Sequence, residues 1–424
     1  MAVVQSSLKH AHEGWSPDEP LILHIHEDDS HSRATGGTTF SRTCFNGINA
    51  LSGVGILSIP YALAQGGWLS LVLLFVMANI CCYTGLLLQR CMDANPRIQS
   101  YPDVGEHAFG YKGRVMIALF LYLELYLVSI GFLILEGDNL ENLFPGTNYV
   151  FLGLNISGKQ FFVLIATLLI LPTTWLRNLS LLAYVSAGGV VASVVVVLCV
   201  FWVGALGGIG FHEGGKLLNL KGLSTSMSLY AFCYSGHAVF PTLYTSMKTK
   251  SQFPKALLTC FVLCFINYGT MAVLGYLMFG DNVNSQVTLN LPVGNLGSKI
   301  AIYTTLINPF TKYALMVTPI ATAIEERLSC RNVSASLIIR TLIVISTVIV
   351  ALAVPLFGYL MALIGSFLCI AASMLIPCIC YLKIFESSRH FGFELLTILG
   401  ILVLGFVIAV MGTYSSLQQI VHNL

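Results

Sequence analysis

Glu124 and Lys312 each sit in the middle of a long apolar run, in a chain that has few charges to place there. A charge at the centre of a bilayer costs at least about 2.5–3.5 kcal/mol, so such residues are functional candidates by default. Burial disfavours their charged forms and a nearby opposite charge restores them, so protonation of either can follow access to water. Glu124 is expected to take and release a proton. Lys312 shares a helix face with Thr305 and Asn308, at spacings of seven and four. Its ammonium is expected to act as a fixed cation, and the competing assignment is a structural pair of Glu124 with Lys312 that locks helices together. His237 can titrate near neutral pH and is equally well explained as a neutral imidazole bonded to main-chain carbonyls. Glu136 and Asp138, toward the outer end of the same run as Glu124, read as solvated gating or packing groups.

Two glycine–proline interruptions frame these groups. Gly55 is followed five residues on by Pro60, and Gly236 by Pro241. Glycine loosens a helix and proline removes a donor, so both runs are weakened at a chosen point. Paired interruptions at matching places in two halves of a membrane chain point to a substrate site. Unwound backbone in lipid is costly unless its polar groups line a cavity and hold a ligand. The N-terminal end of the second half-helix carries free N–H groups that suit a carboxylate. The C-terminal end of the first offers carbonyls that suit an ammonium, and an amino acid carries both. The expected substrate-binding residues are Asn49, Ser52, Gly53, Gly55, Ile56, Tyr230, Cys233, Tyr234, Ser235 and Gly236, with Glu124, Lys312, His237 and Asn308 in proton coupling or gating. Ser52, Cys233 and the small Gly53–Gly55 stretch imply a modest, fairly neutral pocket. The alternative is a pair of ordinary kinked spans. Gly53, Gly55 and Ser58 superficially resemble a dinucleotide fingerprint, but no strand precedes them.

The elements that must hold these residues are membrane helices. The chain is 56% hydrophobic and 9% charged, against about 25% charged in a soluble domain. The apolar runs define eleven spans, at 42–65, 68–91, 114–141, 160–175, 180–206, 222–246, 256–279, 299–324, 337–354, 357–382 and 392–414. The fold class is therefore all-α and polytopic, with spans 1 and 6 broken. With a cytosolic N-terminus, sixteen of the 21 Lys and Arg residues fall in inner segments, four in outer segments, and Lys312 in a span. That bias fits the positive-inside rule and places the C-terminus outside the cytosol. Asn155 then heads a glycosylation sequon in an outer loop. Residues 1–39 are polar and read as a disordered cytosolic tail without the apolar core of a signal peptide. Residues 40–424 form the transmembrane domain. Residues 101–112 read as a helix on the cytosolic face, with Val104, His107, Ala108 and Tyr111 along one side. The twelve cysteines lie mostly in apolar runs, which favours buried, inert thiols over disulfides or metal. Neither a metal site nor a cofactor is expected.

Three stretches carry a family resemblance. They are Asn46–Trp68 with its Gly-Val-Gly-Ile-Leu-Ser-Ile-Pro-Tyr-Ala-Leu core, the loop Tyr101–Arg114, and Ser235–Pro241. They resemble the amino acid/auxin permease family. Glu136–Leu140 and Asn308–Tyr313 resemble its vacuolar amino acid transporter branch, the plant type especially, which is akin to the vesicular inhibitory amino acid transporter. The resemblance covers about residues 38–424. It implies a LeuT-like fold, with spans 1–5 and 6–10 as inverted repeats and span 11 appended. It also implies proton-coupled movement of amino acids at a vacuolar or other acidic-organelle membrane, with antiport favoured by the branch. In sodium-coupled relatives of this fold span 8 helps hold an ion, so Lys312 would replace one and the coupling ion would be H+. A monomer with a free amino acid as its partner is expected, and no nucleic acid. The rival classes are an amino-acid-sensing receptor on a transporter fold and a plasma-membrane amino acid/proton symporter. An intramembrane enzyme is disfavoured, because no aspartate pair, metal motif or phosphate-cradling loop is present.

Overall fold

The computed structural model of the 424-residue chain describes residues 37–146, 149–151, 154–176, 188–212, 214–328, 332–386 and 392–423. Helix dominates, because only a helix satisfies the backbone polar groups of a single spanning segment from within. The first apolar run gives α1 (Phe40–Leu51), a short 3₁₀ turn over Val54–Leu57, and α2 (Ile59–Gly66). Gly67 ends α2 at φ 78°, and a Cβ there would meet the carbonyls of Lys216 and Leu217 at 2.8 Å. Then come α3 (Ser70–Asp93), α4 (Tyr101–Phe109) and α5 (Tyr111–Leu143). A two-stranded antiparallel ribbon, β1 (Tyr149–Phe151) and β2 (Leu154–Ile156), precedes α6 (Gly158–Thr174) and α7 (Gly189–Leu206). The sixth run divides into α8 (Leu223–Cys233) and α9 (Phe240–Ser246). The chain continues through α10 (Phe253–Phe279), α11 (Leu296–Arg327) and α12 (Val333–Ala353). The tenth run is α13 (Phe357–Leu363), π-helical turns over Ile364–Cys369 and Ala371–Leu375, and α14 (Ile376–Ile384). The last helix is α15 (Phe393–Asn423).

Each of the eleven expected ranges overlaps a described helix or interrupted helix. Seven helices among the described residues are long and apolar enough to cross a membrane by length and composition, and α6 is a shorter apolar helix. Four details differ from expectation. The expected tail, 1–39, lies outside the described residues up to 36, but its last residues are paired. Thr38 donates its N–H to the Ser246 carbonyl at 2.7 Å and accepts from Lys248 N–H at 3.0 Å, in a parallel bridge with Met247. The fifth span was expected from 180; residues 177–187 are outside the described set and the described helix starts at Gly189. The ribbon before α6 has no counterpart in the sequence reading. Strands are open to that loop because it does not have to cross lipid. Finally, α15 runs nine residues beyond the expected 414.

α4 shows how local chemistry sets an element. Ser100 and Asp103 form a reciprocal capping box at its start. Its buried face is Tyr101, Val104, Gly105 and Ala108, whereas His107 and Tyr111 are exposed, so the expected face is rotated. The reason is Gly110, whose φ of 67° ends α4 and puts Tyr111 on a separate helix. Arg114 pairs with Asp103 at 3.0 Å and with Glu106. The Tyr101 hydroxyl donates to the Ala372 carbonyl at 2.5 Å, which braces the π-helical part of the tenth run.

Around the two interruptions, α2 packs on α8, α10 packs on both α1 and α2, and α11 packs on α5 and α7. Eleven cysteines in the described residues are free, ten of them buried. Arg340 on α12 is buried. Its Nε donates to Glu325 Oε1 at 3.1 Å and its guanidinium to the Thr174 carbonyl at 2.9 Å, beyond Pro172. Removing one partner of a buried pair leaves an uncompensated charge. Arg340→Ala is therefore expected to destabilise the folded protein by about 3 kcal/mol, seen as a lowered Tm of the purified protein. An unchanged Tm would contradict this account of the α6–α11–α12 junction.

Candidate functional site

A count of main-chain hydrogen bonds locates the site. In an unbroken helix the Asn49, Leu51 and Ser52 carbonyls would accept from the N–H groups of Gly53, Gly55 and Ile56. Here Gly53 N–H turns to the Leu51 carbonyl at 2.8 Å and Ile56 N–H to the Gly53 carbonyl at 3.4 Å. The Asn49 and Ser52 carbonyls lose their helical partners, and buried carbonyls need new ones. Lys312 supplies them. Its Nζ lies 3.5 Å from the Asn49 carbonyl oxygen and 3.4 Å from that of Ser52, with the residue only 7% exposed. The ammonium thus sits at the negative end of α1, where a cation is favoured. Gly189 lets α7 close on this cluster; a Cβ there would lie 2.8 Å from Asn49 Oδ1 and 3.6 Å from Asn308 Oδ1 and Lys312 Nζ.

The second interruption is balanced in the same way. Ser235 N–H turns to the Phe232 carbonyl at 3.4 Å, and the helix does not resume until Phe240, so the Cys233 carbonyl loses its helical partner, His237 N–H. The hydroxyl of Tyr268, fully buried on α10, donates to the Leu51 carbonyl at 2.5 Å and lies 3.3 Å from the Cys233 carbonyl. One hydroxyl therefore ties the end of α1 to the end of α8. The breaks touch directly as well. A Cβ on Gly55 would lie 2.7 Å from Cys233 Sγ, and one on Gly236 would lie 2.9 Å from a Leu51 methyl.

Glu124 reaches the same place from α5. Its Oε1 accepts from Ser235 Oγ at 3.1 Å and from Cys369 Sγ at 3.4 Å. The carboxyl thus joins the α8–α9 break to the first π-helical turn of the tenth run, and π turns recur at functional sites. Glu124 and Lys312 make no ion pair with each other, so the pairing assignment does not hold among the described residues. A small cavity of about 20 Å³ lies against the first break, lined on one side by Gly53, Val54 and Ile56 and on the others by Ser193, Thr305 and Asn308. That is space for about one water.

Both ends of the bundle are tied. At one end Thr38 pairs with Ser246 and Lys248, and the Tyr244 hydroxyl donates to Asp93. At the other, Trp68 Nε1 donates to the Gly214 carbonyl at 2.7 Å and Lys216 pairs with Asp281 at 2.8 Å. The arrangement can hold a small zwitterion between main-chain dipoles once either end opens, with a carboxyl beside it.

A family model described as transmembrane amino acid transporter protein matches residues 36–418. The chain belongs to that family. Among curated relatives from Arabidopsis thaliana, it is 51% identical to "Amino acid transporter AVT1I" over 391 residues, covering 92% of this chain and 96% of the relative. It is 53% identical to "Amino acid transporter AVT1J" over 410 residues, covering 95% and 97%. These relatives are named as transporters, and the family is not enzymatic. Among solved structures, MhsT in complex with L-phenylalanine aligns with TM-score 0.59 at 14% identity, over 88% of this chain and 98% of that one. The resemblance shows the fold, which is the LeuT-like one expected.

Within this amino acid transporter, the sequence-expected residues divide. Gly53, Ile56 and Asn308 line the small cavity, and Ser52 adjoins it through Ser193 Oγ at 3.2 Å. Asn49, Gly55, Cys233, Ser235 and Gly236 build the walls where the breaks meet. Tyr230 does not line the cavity; it is fully buried and its hydroxyl meets Ser70 Oγ at 2.9 Å. Tyr234 is also fully buried, stacked on Phe261 and edge-on to Tyr268. His237 is fully buried, with Nε2 3.0 Å from Thr84 Oγ1, which places it in the packing between α3 and the break. Glu136 is fully buried rather than solvated, and Asp138 is ion-paired with Lys159. Sequence reasoning missed Tyr268, Cys369 and Ser193. A single tyrosine, cysteine or serine in an apolar run carries no signal of the carbonyl or carboxylate it will meet.

The geometry separates two neighbouring glycines. A Cβ on Gly55 meets sulfur, whereas one on Gly53 meets nothing within 4 Å. Gly55→Ala is expected to lower both Tm and transport. Gly53→Ala is expected to leave Tm unchanged and to lower transport through the filled cavity. Equal effects of the two substitutions on Tm would contradict the placement of the break. Tyr268→Phe removes the donor shared by the Leu51 and Cys233 carbonyls, of which only Leu51 keeps another in Gly53 N–H; it costs about 1–3 kcal/mol and is expected to reduce Tm and transport together.

Proposed function

We propose that this amino acid transporter is a secondary active, proton-coupled carrier of neutral amino acids in the membrane of the vacuole or another acidic organelle. It works by alternating access, with eleven crossings, a cytosolic N-terminus and a lumenal C-terminus. The observation that carries the reading is the meeting of the two breaks beneath Glu124. Lys312 and Tyr268 occupy the carbonyl side of the first break, so the N–H groups of Val54 and Gly55 are left to receive a substrate carboxylate. The substrate ammonium then faces the α8–α9 break, beside Ser235 and Glu124. The small, weakly polar surroundings of Gly53, Cys233 and Cys369 favour a neutral side chain. The names of the relatives support amino acids as the substrate class, and the L-phenylalanine complex of MhsT is a precedent for this fold.

Proton coupling follows from the position of Glu124. A carboxyl held by two donors at the substrate site changes its electrostatic energy when water reaches it from one side or the other. Release toward the cytosol and uptake from the lumen would drive amino acids into the organelle. Lys312 contributes an ammonium where a coordinated metal cation would otherwise neutralise the helix end, so sodium has no vacant place there.

The test is uptake into proteoliposomes with a pH gradient imposed in either direction, screened across amino acids. Uptake driven by an interior-acid gradient, equal in sodium and in choline buffer, is expected. Glu124→Gln is expected to retain substrate binding and to lose gradient-driven uptake at least about a hundredfold, the size of a general proton-transfer effect. Full pH-driven uptake by that variant would remove Glu124 from the coupling step, and sodium-stimulated uptake by the unaltered protein would remove the assigned role of Lys312.

A further inference from the structure

The outer end of α5 holds a carboxyl that the transport reading does not use. Glu136 is 0% exposed, and neither of its carboxylate oxygens has a hydrogen-bond partner among the described residues. Around it lies a network that ties four segments together. Asp138 pairs with Lys159 at the start of α6. Gln286, in the connection between α10 and α11, donates to Asp138 Oδ2 at 2.7 Å and accepts from Asn139 Nδ2 at 2.7 Å. Asn142 donates to the Thr288 carbonyl at 3.3 Å, and Lys159 donates to the Pro355 carbonyl at 2.8 Å, in the turn between α12 and α13. Asn139 is one helical turn from Glu136, so the two lie on one face of α5, beneath this closure.

We propose that Glu136 is a proton-binding site that holds the outer end of the transporter shut. Burying a carboxylate without a partner is far costlier than burying a carboxylic acid. The closed arrangement therefore accepts the acid form, and opening, which brings water to the side chain, accepts the carboxylate. Other titratable groups on the elements packed against this half of α5 are Asp138 and Glu141 on α5, Lys159 on α6, Lys299 and Tyr303 on α11, and Tyr359 on α13. None of them bonds to Glu136 among the described residues, and Lys159 is committed to Asp138. The closed state binds one more proton than the open state, so falling pH favours closure, by at most about tenfold per pH unit for one proton. The proton is taken from and returned to the outer side. It sets the resting conformation and is separate from the proton carried through Glu124. If that side is the acidic lumen, as proposed above, acidity returns the empty carrier to its cytosol-facing form, ready to load.

The experiment is amide hydrogen exchange of the full chain in lipid nanodiscs at pH 5.5 and 7.5, corrected for intrinsic exchange and read over residues 283–291. In the unaltered protein, protection is expected to be about tenfold or more greater at pH 5.5. Glu136→Gln, which keeps the shape of the acid form, is expected to show high protection at both values. Asp138→Asn is expected to lower protection at both values and to preserve the pH-dependent difference. A difference of unaltered size in Glu136→Gln would overturn the proposal, as would its absence in the unaltered protein or its loss in Asp138→Asn. No transport is measured, so failure here and failure of the transport reading are separate results.

Discussion

Every feature of the site descends from one constraint: carbonyl groups released by unwinding a helix inside an apolar bundle must find donors. In α1 the released groups belong to Asn49 and Ser52, and the chain answers with the ammonium of Lys312. At Leu51 and Cys233 it answers with the hydroxyl of Tyr268. Both donors come from continuous helices, α11 and α10, that pack on the broken ones. The unwound turns are therefore held by rigid neighbours. That is the condition under which irregular backbone persists at membrane depth.

The same constraint bears on where a substrate can bind. The carbonyl end of the first half-helix is, by sequence, the expected place for an ammonium. In the structure a lysine already faces it, which is why the proposed orientation puts the substrate carboxylate at the Val54–Leu57 turn and its ammonium at the α8–α9 break. Glu124 enters this arrangement through Ser235 and Cys369. A change in its charge is thereby felt at once by the sixth and tenth runs, the elements whose backbone departs most from regular helix.

Much of this was legible in the sequence, for identifiable reasons. Long apolar runs, glycine–proline spacing and isolated charges are one-dimensional signals, and they located the two breaks, Glu124 and Lys312. Gly53 and Gly55 share one sequence signal, but only packing separates them, because one faces open space and the other the sulfur of Cys233. Tyr230 is expected in the cavity because it precedes the break; one turn of α8 instead carries it to Ser70. His237 lies within the break and still faces Thr84. Tyr268 was invisible because its role depends on carbonyls 217 and 35 positions away, on two other runs. Glu136 looked solvated because it lies near a helix end, yet the assembled bundle leaves it fully buried. Sequence spacing gives depth and face along one helix; which neighbour covers that face is decided by the assembled bundle.

The most direct measurement is a cryo-EM map of the protein in lipid nanodiscs with a bound neutral amino acid. The account predicts a substrate carboxylate within hydrogen-bonding distance of the N–H groups of residues 54 and 55, while Lys312 Nζ stays on the Asn49 and Ser52 carbonyls. A ligand bound away from both breaks would contradict it, as would helices continuous through residues 52–58 and 234–239.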